Sequence, residues 1–438
     1  MTEPYDLGKK GLGMDMAIPS RRALLRTFST GAVLSAARAA LPHGAHAQAA
    51  GPETTTAQLG YVTLTDAAPL IVARARGLFA KRGMTDVTLV RQPSWAFTCE
   101  SLALGGEGEG IDGAHFLTSL AYLLSLGRAA DVRTKVLLNI LARLNTNGQA
   151  ISVATKLSPL RARLDASPLK AAVAGNAVNW VGMTFPGGTH DLWLRYWLAA
   201  GGINPAKDVQ TATVPPPQMV ASMYSNDLRM TCVGEPWPEE IRRKGIGYTA
   251  CQTGEIWQDH PEKSFVMRAD WVAKRPRAAL ALTAAMIEAQ QWADKAENKA
   301  EVAGLLSRSN GFNAPASSIE PRLLGNVDYG DGRTVKDSPA RMKFWAGHAS
   351  YPFQSHELWF LTECMRWNML PQRMDTRAAI AAINREDVWR SAAAAGVAAS
   401  DMPAGTSRGK ETFFDGQVFD PADPAAYLNG LAIKAAAS

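Results

Sequence analysis

The sequence has few cysteines and no long apolar run, and both features restrict the classes of protein to which it can belong. Cysteine occurs four times in 438 residues, at Cys99, Cys232, Cys251 and Cys364. These positions fit no zinc motif and no C-x-x-C motif. A bridge between Cys232 and Cys251 and a set of buried free thiols both remain open. No stretch of about 18 uncharged apolar residues is present, so we predict no transmembrane helix.

The chain also lacks a strong excess of charge of either sign. It has 46 Lys and Arg against 40 Asp and Glu. Residues 1–47 contain six of the basic and three of the acidic residues, so 40 and 37 remain in the rest. Because those basic residues are scattered, we predict no nucleic-acid partner. Hydrophobic residues make up 47% and charged residues 20%, which is typical of a globular protein with two or three domains.

Signatures of catalysis are missing as well. No G-x-S-x-G or phosphate loop is present, and the G-x-G-x-x-G pattern at 108–113 runs into a predicted strand instead of opening a helix, so it is not a dinucleotide fingerprint. Asp112 and His115 could form a metal pair, but no third ligand lies at a workable spacing. Glu235 and its acidic neighbours lie among prolines, which favours a lobe-closing loop over acid chemistry. We predict a protein that is not an enzyme and that has neither a metal nor a cofactor.

Residues 1–47 resemble a twin-arginine export signal. The segment SRRALLR at 20–26 contains the paired arginines, a weakly apolar stretch follows over 28–41, and AHA at 45–47 fits a cleavage site. No cysteine lies near this site, so we expect no lipid anchor. The mature chain is therefore predicted in a bacterial periplasm. An exported oxidoreductase is an alternative that only this leader favours.

Apolar and turn residues alternate between strand and helix spacing along the mature chain. Short β-favouring runs at 58–63 and 87–90 flank a helical pattern, as in a βαβ unit. The same order returns later, with strands predicted at 183–185 and 209–214 around a helix that follows 186–189. This repeated alternation predicts two α/β lobes.

Ten segments in this order resemble the nitrate- and bicarbonate-binding periplasmic proteins of ABC importers. They are GYVTLTDAAP (60–69), PSWA (93–96), LNTNGQAI (144–151), FPGGTH (185–190), LRYWLAAGG (194–202), VGEPW (233–237), TGEIW (253–257), HPEK (260–263), FFDG (413–416) and FDP (419–421). The resemblance covers nearly the whole mature chain.

This resemblance implies a type II periplasmic-binding-protein fold, in which two α/β lobes joined by crossover strands close on a ligand in their cleft. Lobe 1 would comprise 57–151 and 263–400, and lobe 2 would comprise 152–262, with 401–438 as a C-terminal tail packed on the lobes. The implied function is a monomeric receptor that captures nitrate or nitrite for an ABC permease in the inner membrane. Alternatives are a receptor for bicarbonate, cyanate or a sulfonate, and a nitrate-sensing regulatory protein.

The anion contacts that the resemblance implies fall on Trp95, Gln149, His190, Gly234 and Lys263, each in its matching segment. Their chemistry suits nitrate, which only accepts hydrogen bonds. Lys263 supplies a charge and three donors, and Gln149 supplies an NH₂ group. His190 follows two glycines at a helix start, where free backbone N–H groups favour an anion. We also expect His190 to become doubly protonated beside the anion, so that affinity would rise towards pH 6.

Overall fold

A computed structural model describes residues 51–130, 132 and 134–435. The predicted leader at 1–47 lies outside the described residues. Within them, no helix combines the length and the apolar character needed to cross a membrane.

Fourteen strands and sixteen α-helices are present in this part of the chain. The strands are β1 (Thr56–Tyr61), β2 (Asp86–Arg91), β3 (Gly113–Leu117), β4 (Leu138–Arg143), β5 (Gln149–Ala154), β6 (Trp180–Met183), β7 (Gln210–Thr213), β8 (Met230–Gly234), β9 (Gly247–Gln252), β10 (Lys263–Arg268), β11 (Val327–Asp328), β12 (Thr334–Val335), β13 (Glu411–Thr412) and β14 (Val418–Phe419). The helices are α1 (Ala68–Ala75), α2 (Trp95–Leu104), α3 (Thr118–Ser125), α4 (Lys170–Ala174), α5 (Thr189–Ala200), α6 (Met219–Tyr224), α7 (Trp237–Arg243), α8 (Thr253–Ile256), α9 (Ala269–Lys274), α10 (Pro276–Asp294), α11 (Lys299–Arg308), α12 (Ala316–Leu323), α13 (Gln354–Arg366), α14 (Thr376–Ile383), α15 (Glu386–Ala393) and α16 (Pro424–Gly430).

Two five-stranded sheets form the cores of two lobes, as the alternating pattern predicts. The first sheet has the order β2-β1-β3-β10-β4, and the second has the order β7-β6-β8-β5-β9. Strand β1 is parallel to β2 and β3, and β6 is parallel to β7 and β8. Strand β10 runs antiparallel to its two neighbours in the first sheet, and β5 does so in the second. The prediction of two α/β lobes is confirmed.

The chain passes twice between the lobes, over 144–148 and 257–262. These two crossover segments run side by side, since Leu144 N donates to Lys263 O at 2.7 Å and Asn147 N donates to His260 O at 3.1 Å. The predicted boundary between 151 and 152 falls within β5, whereas the one between 262 and 263 coincides with the start of β10. Both crossovers therefore end at a strand that enters a sheet from the cleft side.

Residues after α12 contact lobe 2 as well as lobe 1. The β11–β12 hairpin lies beside β9, where Thr249 N donates to Tyr329 O at 2.8 Å. Trp193 of α5 stacks on Trp359 of α13 with ring centroids 4.8 Å apart. Tyr196 stacks on Phe413 near the C-terminus at 4.9 Å. Residues from the C-terminal third therefore pack against lobe 2.

The four cysteines are buried free thiols. Cys232 of β8 and Cys251 of β9 both align with Ile151 of the strand between them. Adjacent strands lie about 4.8 Å apart, so two cysteines on opposite sides of one strand are too distant for a disulfide. The structure therefore excludes the bridge that the sequence leaves open.

Candidate functional site

Four of the elements that meet at the cleft begin or end at a predicted site residue, and a fifth carries its site residue in the second position. Trp95 begins α2, Gln149 begins β5, His190 is the second residue of α5, Gly234 ends β8 and Lys263 begins β10. All five are buried. The five positions converge. Lys263 Nζ lies 5.8 Å from the centre of the Trp95 ring, a Cβ on Gly234 would lie 3.7 Å from His190 Nε2, and Gln149 pairs with Gly234.

Local sequence explains the placement of the two helix residues. Ser94 caps α2 by accepting a hydrogen bond from Phe97 N at 3.2 Å, which leaves the following Trp95 at the buried first turn. Before α5 the backbone turns at Gly187, whose φ is +73° and where a Cβ would lie 2.5 Å from Leu123 Cδ1. Only glycine fits that turn, and the turn aims the start of α5 at the cleft.

Lys263 lies at the centre of the site with its side chain completely buried. Its Nζ is 2.9 Å from Asp66 Oδ2 and 2.6 Å from Glu262 Oε1, and it is 5.8 Å from the centre of the Trp95 ring. Two carboxylates therefore share the single ammonium group. Although burial acts against the charged form, these carboxylates raise the pKa of Lys263, so its charge is retained.

Asp66 also binds His115, which corrects the pairing considered from the sequence. His115 Nε2 lies 2.6 Å from Asp66 Oδ1, whereas Asp112 Oδ2 accepts a hydrogen bond from Gln58 N at 2.8 Å. Burial raises the pKa of Asp66, but Lys263 and His115 outweigh it and hold this pKa well below its usual range. Asp66 is thus an ionised residue that positions both partners.

His190 reaches the site as a neutral ring. Its Nδ1 is 2.5 Å from Thr184 Oγ1, while its Nε2 is buried and has no hydrogen-bond partner among the described residues. Burial, assisted by the charge of Lys263, holds the pKa of His190 well below its usual range. The expectation of a doubly protonated His190 is therefore wrong, because a second positive charge would be buried beside Lys263. When the Thr184 hydroxyl donates its hydrogen to Nδ1, the proton of the neutral ring is on Nε2. The Nε2–H group is then free to donate to a ligand.

Gln149 and Gly234 face each other across neighbouring strands. They are paired residues of β5 and β8. A Cβ on Gly234 would lie 3.3 Å from Asp66 Oδ2 and 3.7 Å from His190 Nε2, so glycine keeps this space open. Gln149 Nε2 lies 3.2 Å from Thr189 Oγ1, and Gln149 Oε1 is buried without a partner in the described structure.

Several buried polar atoms without a partner lie at this point of the cleft. Among the described residues they include Trp95 Nε1, Gln149 Oε1, His190 Nε2 and Thr65 Oγ1. Buried polar groups normally have hydrogen-bond partners, and a cluster that lacks them next to a buried ammonium matches a small polar ligand. No group of three or more His, Cys, Asp or Glu side chains within the described residues is arranged to hold a metal ion.

The two lobes are in direct contact around this cluster. Thr65 N donates to Glu235 O at 2.7 Å, and Trp237 Nε1 donates to Thr63 O at 3.0 Å. The Glu235 carboxylate pairs with Arg322 of α12, and both side chains are nearly inaccessible. These contacts agree with the expected lobe-closing role of the segment that contains Glu235.

Sequence reasoning missed three residues of the site: Asp66, Thr189 and Glu262. Asp66 and Glu262 bind the Lys263 ammonium, and Thr189 joins Glu262 to Gln149. Each lies within a segment that carries the family resemblance, yet a search for groups that donate hydrogen bonds to an anion passes over carboxylates. Only the fold shows that Asp66 and Glu262 contact the Lys263 ammonium group.

Known proteins resemble this chain along most of its length. A sequence model of the NMT1-like family matches residues 50–307. The nitrate/nitrite binding protein NrtA of Nostoc is 53% identical over 387 residues, which cover 87% of each chain. The bicarbonate-binding protein CmpA of Synechococcus elongatus is 40% identical over 88% of each chain. A stretch of the nitrate import ATP-binding protein NrtC of Synechocystis is 32% identical, with 87% of this chain and 56% of that protein aligned.

A solved structure agrees with this relationship. The crystal structure of the periplasmic nitrate-binding protein NrtA from Synechocystis superposes with a TM-score of 0.86 at 50% identity, covering 88% of this chain and all of that chain. The two-lobed fold is therefore the fold of periplasmic binding proteins. Together, the matched family model, the identity and the superposition show that this chain belongs to the NMT1-like family and, within it, to the family of the NrtA nitrate-binding proteins.

Proposed function

We propose that this protein is a periplasmic receptor that captures nitrate or nitrite between its lobes and delivers the anion to an ABC importer. The observation that carries the proposal is the cluster of unpartnered, buried polar atoms beside the Lys263 ammonium. Trp95 Nε1 and His190 Nε2 would donate to the anion, Lys263 would supply the charge, and the space at Gly234 would admit it. The names and high identity of the NrtA relatives support this assignment.

Nitrate and nitrite suit these groups because both anions only accept hydrogen bonds. Bicarbonate is the second candidate, since CmpA is 40% identical and Gln149 presents an acceptor oxygen that fits the O–H of bicarbonate. Lys263 favours the first pair, because an ammonium donates only and offers nothing to a ligand O–H.

Calorimetry of the purified mature chain tests the choice of ligand. Nitrate, nitrite, sulfate and bicarbonate, the last with and without calcium, would be titrated separately under one buffer condition. We expect saturable binding of nitrate or nitrite and none of sulfate. Binding of bicarbonate alone would replace the proposed ligand, and absence of binding to all four would refute the receptor for small oxyanions.

Transport partners and location belong to the same proposal. Similarity to NrtC supports delivery to an ABC system whose permease lies in the inner membrane, and we propose a monomer that carries a twin-arginine signal. Replacing the arginines at 21–22 by lysine in the full chain should retain the precursor in the cytoplasm. Normal periplasmic amounts of this variant, measured against the unchanged chain, would refute the twin-arginine signal.

A further inference from the structure

A continuous chain of hydrogen bonds connects the Lys263 ammonium to the Gln149 amide. Lys263 Nζ and Thr189 Oγ1 both contact Glu262 Oε1, at 2.6 and 2.5 Å, and Gln149 Nε2 contacts Thr189 Oγ1 at 3.2 Å. Trp193 Nε1 donates to the second oxygen of Glu262 at 3.0 Å. These groups are buried, so their hydrogen bonds are made with each other and not with solvent water.

Thr189 has one hydroxyl proton, and its direction determines which end of Gln149 faces the ligand. If Glu262 is ionised, Thr189 donates to it and presents only lone pairs to Gln149. The amide NH₂ must then point at Thr189, and the carbonyl oxygen Oε1 points into the site, where it is without a partner among the described residues. A carbonyl oxygen in that place repels nitrate, which has no hydrogen to donate.

Protonation of Glu262 reverses the chain. The protonated carboxyl donates to Thr189 Oγ1, the Thr189 hydroxyl then donates to Gln149 Oε1, and rotation of the amide turns its NH₂ towards the ligand. One proton from solvent forms the new O–H bond on Glu262, and no other covalent bond is made or broken. The site then presents donors to a ligand that has only acceptors.

The charges at the site favour the same state. Within the part of the chain that the structure describes, Lys263 is the single cation in direct contact with Asp66 and Glu262, so two ionised carboxylates and a bound anion would place three negative charges against one positive charge. Uncompensated buried charge is costly, and a proton on one carboxylate removes the excess. Burial raises the pKa of Glu262, whereas Lys263 and His115 keep that of Asp66 low, which identifies Glu262 as the carboxylate that accepts the proton.

We propose that the closed site takes up a proton at Glu262 with the anion, and that Thr189 transmits this change to Gln149 so that its NH₂ group faces the ligand. The inference rests on the proposed nitrate function and adds a coupled proton and two positioning residues to it.

Other titratable groups near Glu262 do not account for such a proton. His260 Nδ1 is 3.9 Å from Glu262 Oε2, and burial lowers the pKa of His260 to about 3. Burial also lowers the pKa of His115 and His190, and it raises that of the Cys232 thiol on β8, so that this thiol stays protonated. The remaining charged neighbours are Lys263 on β10 and Asp66 before α1, and both stay ionised.

Calorimetry in two buffers of different ionisation enthalpy measures the coupled proton directly. At pH 7.5 nitrate binding to the mature chain should take up about one proton, and its affinity should fall as pH rises. Glu262→Gln removes the titrating group and should bind nitrate without proton uptake. Glu255→Gln, which changes a half-buried carboxylate of α8 outside the site, should retain the uptake. Binding without proton uptake by the unchanged chain, or uptake that persists in Glu262→Gln, would overturn the proposal.

Thr189 provides a second test that does not depend on the folding of the Glu262 variant. Thr189→Val removes the hydroxyl at nearly constant volume and should weaken nitrate binding about fivefold, the effect of one lost hydrogen bond. Thr189→Ser keeps the hydroxyl and should lose less. Thr283→Val removes another buried hydroxyl, which donates to Ala279 O within α10, and should alter thermal stability alone. If Thr189→Val binds nitrate within twofold of the unchanged chain, Thr189 does not position Gln149 and the proposal fails.

These outcomes separate this inference from the proposed function. Absence of nitrate binding by the unchanged chain would refute the function itself. Nitrate binding with no proton uptake would leave the function intact and refute only the role of Glu262.

Discussion

Removing the charge of Lys263 should lower the affinity for nitrate. This loss should be larger than the one that a general loss of fold stability would cause. Lys263 is more than a single cation facing an anion, since Asp66 and Glu262 both contact its ammonium group, at 2.9 and 2.6 Å. In the Lys263→Met variant, two buried carboxylates would face the anion with no cation between them.

The magnitude follows from the burial of this cluster. Breaking a buried ion pair by removing one partner destabilises a protein by about 3–5 kcal/mol. Truncating one partner of a buried charged contact with a ligand costs roughly 2–5 kcal/mol of binding free energy. At about tenfold per 1.4 kcal/mol, we expect the nitrate affinity of Lys263→Met to fall at least about thirtyfold. Lys263→Glu adds a third carboxylate and should lose no less.

Calorimetry with nitrate and thermal unfolding without it would be measured on the same preparations. Lys299→Met is a matched control, because Lys299 is a buried lysine that pairs with Asp294 at 3.5 Å away from the cleft. The control should lower the unfolding temperature and leave nitrate affinity unchanged. A folded Lys263→Met that binds nitrate within about threefold of the unchanged chain would refute the reasoning and remove Lys263 from the site.

Three further expectations concern the ring donors and the closed lobes. Trp95→Phe keeps an aromatic wall but removes Nε1–H, so calorimetry should show a loss of nitrate affinity of about fivefold, and an unchanged affinity would contradict the assigned donor. His190 and His260 have lowered pKa values in the folded chain, so below the usual value of 6.5 the unfolded chain binds more protons and stability falls as pH falls. For His260, whose pKa burial lowers to about 3, the loss should be about 2 kcal/mol at pH 5. NMR should find the protonation midpoint of His190 well below 6.5, and a midpoint at the usual value would contradict this. Arg322→Leu leaves the buried Glu235 carboxylate unpaired between the lobes and should lower both the unfolding temperature and the nitrate affinity. A small-angle X-ray scattering profile and a nitrate affinity equal to those of the unchanged chain would show that this pair does not hold the lobes closed.

Contacts with lobe 2 involve more than the two crossover segments. Trp359 stacks on Trp193, and Phe413 stacks on Tyr196, so residues distant in the sequence pack against lobe 2. The family resemblance implies a tail at 401–438 that packs on the lobes. The sequence does not reveal the β11–β12 hairpin, because two-residue strands are too short to show an alternating pattern.

Local patterns of the amino-acid sequence were sufficient for the helix that carries His190. The start of α5 after 186–189 follows from apolar spacing and turn residues, because those patterns depend on neighbours in the chain. Strand β9 escaped detection, since Gly247–Gln252 mixes small and polar residues and becomes buried only through pairing with β5. Resemblance to a family, rather than spacing, supplied the five proposed ligand contacts.

Tertiary structure alone decided the charge state and the partners of those contacts. Nothing near Lys263 in the sequence indicates that Asp66 binds its ammonium, because the two residues meet only when β10 enters the sheet beside β3. His190 is predicted as a charged ring from its usual pKa, yet burial beside Lys263 makes it neutral. Periodicity and turn chemistry act between neighbours and can be read from the order of residues. Desolvation and ion pairing act between residues that the chain brings together only on folding, and for that reason they had to be read from the structure.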